Sequence, residues 1–130
     1  MKKLLVMMFI VTTVVATFAA GNPSPVKKAG LALAEENYIT GIKTENEGLQ
    51  VSSAYYLGEM KSEKAVIPLM ALLHNSEHKS VRIAAALSLL KIGDERGIYA
   101  IYKNIRFDDS ECVRCMCRRF YVSHIKETLE

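Results

Sequence analysis

One repeat, running without gaps, decides what this chain can fold into. Leu49, Val81 and Val113 stand 32 residues apart, as do Ser53, Ala85 and Cys117, and Leu57, Leu89 and Tyr121. Val66 keeps the same offset from Ile98, Leu69 from Ile101, Met70 from Tyr102, and Leu73 from Ile105. A period of that length is one supersecondary unit that cannot bury its own apolar faces. Stacking several of them makes a continuous core. The unit reads most clearly from Val81 to Ile105. VRIAAALSLLKI is apolar on almost every side, as an interior helix with neighbours on both flanks requires. Gly93-Asp94 then stops one helix and starts the next: glycine takes the left-handed position after a helix end, and aspartate caps the following N-terminus. From Glu95 to Ile105, Ile98, Ile101, Tyr102 and Ile105 recur at spacings of three and four, which predicts an amphipathic helix with these residues turned inward.

Residues 1–20 read as a secretory signal peptide. Lys2-Lys3 form the charged start, Leu4 to Phe18 is an apolar run broken only by threonines, and Ala19-Ala20-Gly21 supplies small residues for cleavage. The alternative is an uncleaved anchor, for which the run is short against the ~20 residues of a span. The first cysteine is Cys112, so the segment offers no thiol for a lipid anchor. The expected location is exported, periplasmic or secreted, with the membrane met only during export. The formal net charge of +3 includes Lys2 and Lys3; without them 15 basic residues face 14 acidic ones. That balance, with export, argues against nucleic acid as a partner.

The rest of the chain reads as one all-α domain over 24–128. Ser24 and Pro25 suit an N-cap and a first helical residue. The helix they open carries Ala34, Tyr38 and Ile42 on one stripe and forms a half repeat over 25–44. Thr44-Glu45-Asn46-Glu47 fits a capping box before the first full repeat, 47–75. Ser62 is the expected cap of that repeat's second helix, and Pro68 inside the helix is a difficulty. A second full repeat spans 77–107, and a closing helix covers 110–126. No sustained alternation of apolar and polar residues predicts a strand.

Val81-Arg82, the small residues Ala84-Ala85-Ala86, Leu89 and Gly93-Asp94 carry a resemblance. They are similar to HEAT-like repeats of the short kind first noted in phycobilisome lyases. Val113-Arg114 after Asp108-Asp109 opens the next unit in the same way. The match is strong from Leu49 to about Val122 and weak from Val26 to Thr44. In the first unit Leu49-Gln50 replaces valine-arginine and Lys61-Ser62 replaces glycine-aspartate. The third carries Cys115, Met116 and Cys117 in the small-residue stretch, with Arg118 where an alanine is usual. The resemblance implies an α-α superhelix, a HEAT-like solenoid of about six helices after the leader. It also implies an interaction scaffold more often than an enzyme, with the second helices lining the concave side.

Candidate functional residues follow from that arrangement. With Ile98, Ile101, Tyr102 and Ile105 inward, the residues left on the open face are Tyr99, Lys103 and Arg106. One repeat earlier their equivalents are Ile67, Ala71 and His74. An aromatic, cations and apolar surface suit a protein or peptide partner; a solvated face is the plain alternative. Arg82 and Arg114 recur once per repeat and are expected to tie turn acids such as Asp94, Asp108 or Asp109. Three readings stay open for Cys112, Cys115 and Cys117. Cys117 fits a small buried residue beside Val113, Met116 and Phe120. Cys112 or Cys115 fits a disulfide to another chain, with self-association or docking through the closing helix. A metal or haem role is disfavoured, since a continuous helix cannot close three such thiols around one ion and Met116 stands where haem attachment needs histidine. No HExxH motif, glycine-rich phosphate loop or nucleophile elbow is present. The expectation is a module with no cofactor, no metal and no catalytic residue of its own. The alternative is a lyase-like enzyme using groove or cysteine residues.

Export has a direct check. Intact-mass spectrometry of protein from its native source should find a chain beginning near Ala20 to Asn22; a soluble product retaining residues 1–20 would refute the leader.

Overall fold

A computed structural model describes residues 24–130, and the leader expected over residues 1–20 lies outside them. The described residues form six α-helices and no strand: α1 (Pro25–Gly41), α2 (Glu47–Glu59), α3 (Val66–Asn75), α4 (Lys79–Ile92), α5 (Glu95–Phe107) and α6 (Glu111–Leu129). Residues 24–32 are exposed throughout. Ser24 Oγ accepts the Lys27 N–H at 3.4 Å, and Pro25 opens α1, where its missing N–H costs nothing. Residues 33–130 make a separate compact unit that holds the repeats.

The centre of that unit is α4, which packs against α2, α3, α5 and α6. Its neighbours on four sides explain why VRIAAALSLLKI has almost no polar face. Val81, Ala85, Ala86 and Leu89 are fully buried. The 32-residue register holds in the packing. Ser53, Ala85 and Cys117 share one buried slot, and Leu69 and Ile101 another. Burying each large aliphatic side chain contributes roughly 1.5–3 kcal/mol before chain entropy is set against it. Leu49 departs from its slot. Val81 and Val113 are buried, but Leu49 is 46% exposed, because among the described residues no outer helix precedes α2 to cover it.

The turns show why the helices stop where they do. Gly93 sits at φ 77° after α4, and Asp94 accepts the Arg96 N–H at 2.9 Å to cap α5. The Arg96 guanidinium also bonds this carboxylate and holds it down at about 2. One repeat earlier Lys61 takes the same left-handed position at φ 51° without being glycine. That conformation crowds a Cβ against the following carbonyl and costs about 1 kcal/mol.

Two expected caps are corrected. Asn46, not Thr44, caps α2: its Oδ1 accepts the Leu49 N–H at 2.9 Å. Thr44 instead donates to the Gly41 carbonyl at 2.8 Å and closes the end of α1. Ser62 makes no side-chain capping bond; its hydroxyl donates to Glu35 Oε1 at 2.6 Å and ties α1 to the α2–α3 turn. Pro68 proves harmless. A short 3-10 turn at Glu63–Ala65 delays α3 until Val66, so Pro68 is the third residue of α3. It stands among the four whose N–H has no partner inside a helix.

Arg82 fastens the repeats. Its side chain is nearly buried; Nη1 donates to the Ser76 carbonyl at 2.8 Å, and Nη2 to Asp108 at 3.1 Å and Asp109 at 2.7 Å. Arg114 repeats the backward reach, donating to the Asp108 carbonyl at 2.7 Å. Asp94, the other acid named for this role, is taken by Arg96.

Two substitutions test this packing in opposite directions. Ala85→Leu should overpack the fully buried slot and cost roughly 1–3 kcal/mol. Lys61→Gly should relieve the left-handed strain and stabilise by up to about 1 kcal/mol, less the extra freedom glycine gives the unfolded chain. Thermal melts followed by circular dichroism read both. An unchanged midpoint for the first would sink the slot, and a fall for the second would sink the strain argument.

Candidate docking face

The second helices of the two repeats, α3 and α5, pack on one another and on α4. Each buries one stripe: Val66, Leu69 and Leu73 on α3, and Ile101 on α5, flanked by half-buried Ile98 and Ile105. The opposite side is left to solvent. All six residues expected there, Ile67, Ala71, His74, Tyr99, Lys103 and Arg106, are exposed. Ile67 and Tyr99 retain more than half of their surface in water.

These six residues do not share one groove. A cleft of about 600 Å³ lies between α3 and α5, and it gathers His74, Tyr99 and Lys103 together with Met70, Ala100, Asn104 and Phe107. A second cleft, of about 470 Å³, lies on the other flank of α3 and takes Ile67 and Ala71 with Ile42, Lys43, Gln50 and Pro68. Helix α3 is the wall between them. Arg106 lines neither and stands one turn beyond Lys103 on α5. Of the lining residues missed in the sequence, three bear most on the site. Phe107 is 77% exposed at the mouth of the first cleft; it follows Arg106 and lies four residues after Lys103, so helical spacing from Tyr99 and Lys103 would have found it. Lys43 and Gln50 come from the α1–α2 turn and from α2, and no periodicity on α3 points to them.

Tyr102 is a second correction. Its spacing from Ile98 and Ile105 placed it inward, yet it is 43% exposed. Its ring lies 5.2 Å from Tyr121 of α6 and 6.5 Å from Tyr99. A phenol half in water keeps its hydroxyl solvated and buries only the ring face. With Ile98, Tyr121, His124 and Glu95 it lines a further cleft of about 490 Å³ between α5 and α6, which shares Tyr99 with the cleft between α3 and α5.

The cysteines separate by environment. Cys117 is fully buried in the core beside Val113, and burial pushes its thiol up to about 11. Cys112 and Cys115 are exposed on α6, and all three carry free thiols. Among the described residues no three His, Cys, Asp or Glu side chains gather to hold a metal ion, and no helix is long and apolar enough to cross a membrane.

The family model of HEAT repeats matches residues 37–116, more than half of the chain. The chain belongs to the HEAT repeat family. No curated protein matches it. HEAT repeats commonly mediate protein–protein interaction, and the match covers both α3 and α5 with the exposed sides described above. It also covers Arg82, Gly93-Asp94 and the turn at Asp108-Asp109, where this HEAT protein fastens one repeat to the next.

Thiol chemistry checks the site's chemical side. A disulfide reagent at pH 8 should label Cys112 and Cys115 within minutes and reach Cys117 only after denaturant is added, because a buried thiol held protonated is neither accessible nor nucleophilic. Three thiols reacting at one rate in the native protein would contradict the buried slot.

Proposed function

We propose that this chain is an exported HEAT-repeat scaffold that docks a protein or peptide on the exposed side of α3 and α5 and has no catalytic activity of its own. The observation that carries the reading is the pair of clefts flanking α3, with Ile67, Tyr99 and Phe107 held largely in water. Exposed aromatic and aliphatic groups beside shaped clefts, rimmed by polar side chains, mark interaction surfaces. The leader-like run from Lys2 to Gly21 supports export. The protonated, buried thiol of Cys117 supports a structural part for that residue, not a nucleophilic one. Helix α6 supports a second contact. Cys115, Val122, Ile125 and Leu129 are exposed at heptad-like spacing, a surface suited to self-association with a disulfide through Cys112 or Cys115.

Affinity capture from an envelope extract tests the main reading, run with wild-type protein and with an Ala71→Arg/Tyr99→Ala variant. Both positions are exposed, so the variant should keep its helical circular dichroism. Proteins held by the wild type and lost by the variant are the expected result; identical retention would move docking away from this face. Sizing the oxidised protein with and without reductant tests the second contact, which a monomer under both conditions would remove.

A further inference from the structure

We infer that the partner seated on α3 and α5 is an acidic peptide segment. Its carboxylates meet Lys43, Lys103 and Arg106, and its apolar side chains enter the two clefts that flank α3. This rests on the docking reading above and adds the chemistry of the occupant.

The argument starts from where the carboxylates are. The cleft of Tyr99 and Lys103 and the cleft of Ile67 and Ala71 are lined by no Asp or Glu, although the clefts that adjoin them at the C-terminal end of α3 are. Three other clefts of the described surface each have at least one: Glu95 between α5 and α6, Glu45 and Glu77 beside the α1–α2 turn, and Glu77, Asp108 and Asp109 beside Arg82. Helix α3 carries no acidic residue, and α5 has only Glu95, in its first turn. The cations beside the two α3 clefts are free of ion pairs among the described residues, as are others such as Lys61, Lys79, Arg118, Arg119 and Lys126, whereas those near the turns are mostly paired. Lys64 pairs with Glu35, His78 with Glu47, Lys91 with Glu59, Arg96 with Asp94, and Arg82 with Asp108 and Asp109. Lys43, Lys103 and Arg106 make no ion pair among the described residues.

An apolar cleft with unpaired cations at its edge and no anion in its wall attracts one class of segment and repels another. Carboxylates on the partner gain charge-assisted bonds to Lys103 and Arg106, whereas lysines or arginines face uncompensated like charge. Lys43 stands at the second cleft beside Ile67, Pro68 and Ala71, but it also lines the adjoining cleft with Glu45 and Glu77, so the positive excess is weaker there. The occupant is therefore acidic chiefly on the α5 side of α3, with an aromatic or aliphatic anchor for the cleft of Met70, Tyr99 and Phe107. Three separated cations beside two apolar clefts favour a peptide over a nucleic acid, whose regular phosphates need a dense basic stripe.

Selection from a displayed library of random peptides against the full chain tests this, followed by fluorescence anisotropy on the selected peptides. The expected peptides are rich in Asp and Glu with at least one aromatic or large aliphatic residue. They should bind the Lys43→Glu/Lys103→Glu/Arg106→Glu variant about tenfold or more weakly than wild type, and lose affinity as salt is raised. They should also be lost on Ala71→Arg/Tyr99→Ala. Neutral or basic peptides that ignore the charge reversal but are lost on Ala71→Arg/Tyr99→Ala would overturn the acidic occupant and leave the docking face standing. No selected peptide, or peptides indifferent to both variants, would overturn the docking face itself. Displacement of the acidic peptides by a single-stranded oligonucleotide of random sequence at equal concentration would overturn the choice of peptide over nucleic acid.

Discussion

The stack of repeats depends on Arg82. One guanidinium holds the carbonyl of Ser76 in the turn before α4 and the carboxylates of Asp108 and Asp109 in the turn after α5. Those two turns bound one full repeat, so the side chain measures the repeat's width from inside. Its planar fork allows three bonds in fixed directions, which a lysine ammonium would not reproduce. Burial makes the arrangement consequential. With Arg82 and Asp108 both nearly out of water, removing either leaves a buried charge without its counterpart, a loss of roughly 3–5 kcal/mol. The bond to Asp109 adds little, because that carboxylate is 86% exposed. Gln50 stands in the equivalent place one repeat earlier and reaches the Ile42 carbonyl, so the same backward tie recurs in neutral form.

Much of this was legible in the sequence, because a repeat states its packing more than once. Ala85 alone is one small residue; Ser53, Ala85 and Cys117 at a fixed interval form a slot where α4 and its neighbours must come close. Gly93-Asp94 announced a left-handed turn and a cap, and both are present. The failures share a cause: each needed the third dimension. Thr44 and Asn46 are both good caps, and only the path of the α1–α2 turn chooses between them. Pro68 looked misplaced until the 3-10 turn at Glu63–Ala65 moved the start of α3. Tyr102 keeps the spacing of an inward residue, but Tyr121 of α6 meets its ring at the surface and holds it there.

The candidate docking face shows the same division. Periodicity identified which residues of α3 and α5 turn away from the core, and all six are exposed. It could not show that α3 stands proud between two clefts, since that follows from how α2 and the α1–α2 turn approach it. Lys43, Gln50 and Phe107 enter the site through that approach.

Charge then separates the two sides of the repeat. Ion pairs such as Glu59 with Lys91 and Glu47 with His78 join α2 to α4 or the turn before it, so the outer helices neutralise one another along the stack. Among the described residues no ion pair joins α3 to α5; Arg96 pairs only with Asp94 at the start of its own helix. Folding does not demand this: a helix in the inner layer needs only one apolar stripe, and its solvent side is free to carry mixed charges, which would favour solubility. Instead that side holds Ile67, Ala71, Tyr99 and Phe107, with Lys103 and Arg106 as its formal charges beyond the first turn of α5. Such a surface is costly to leave in water and is not balanced from within the repeats. On the proposed docking reading the compensation comes from a second surface, apolar where the clefts are and negative where the cations stand.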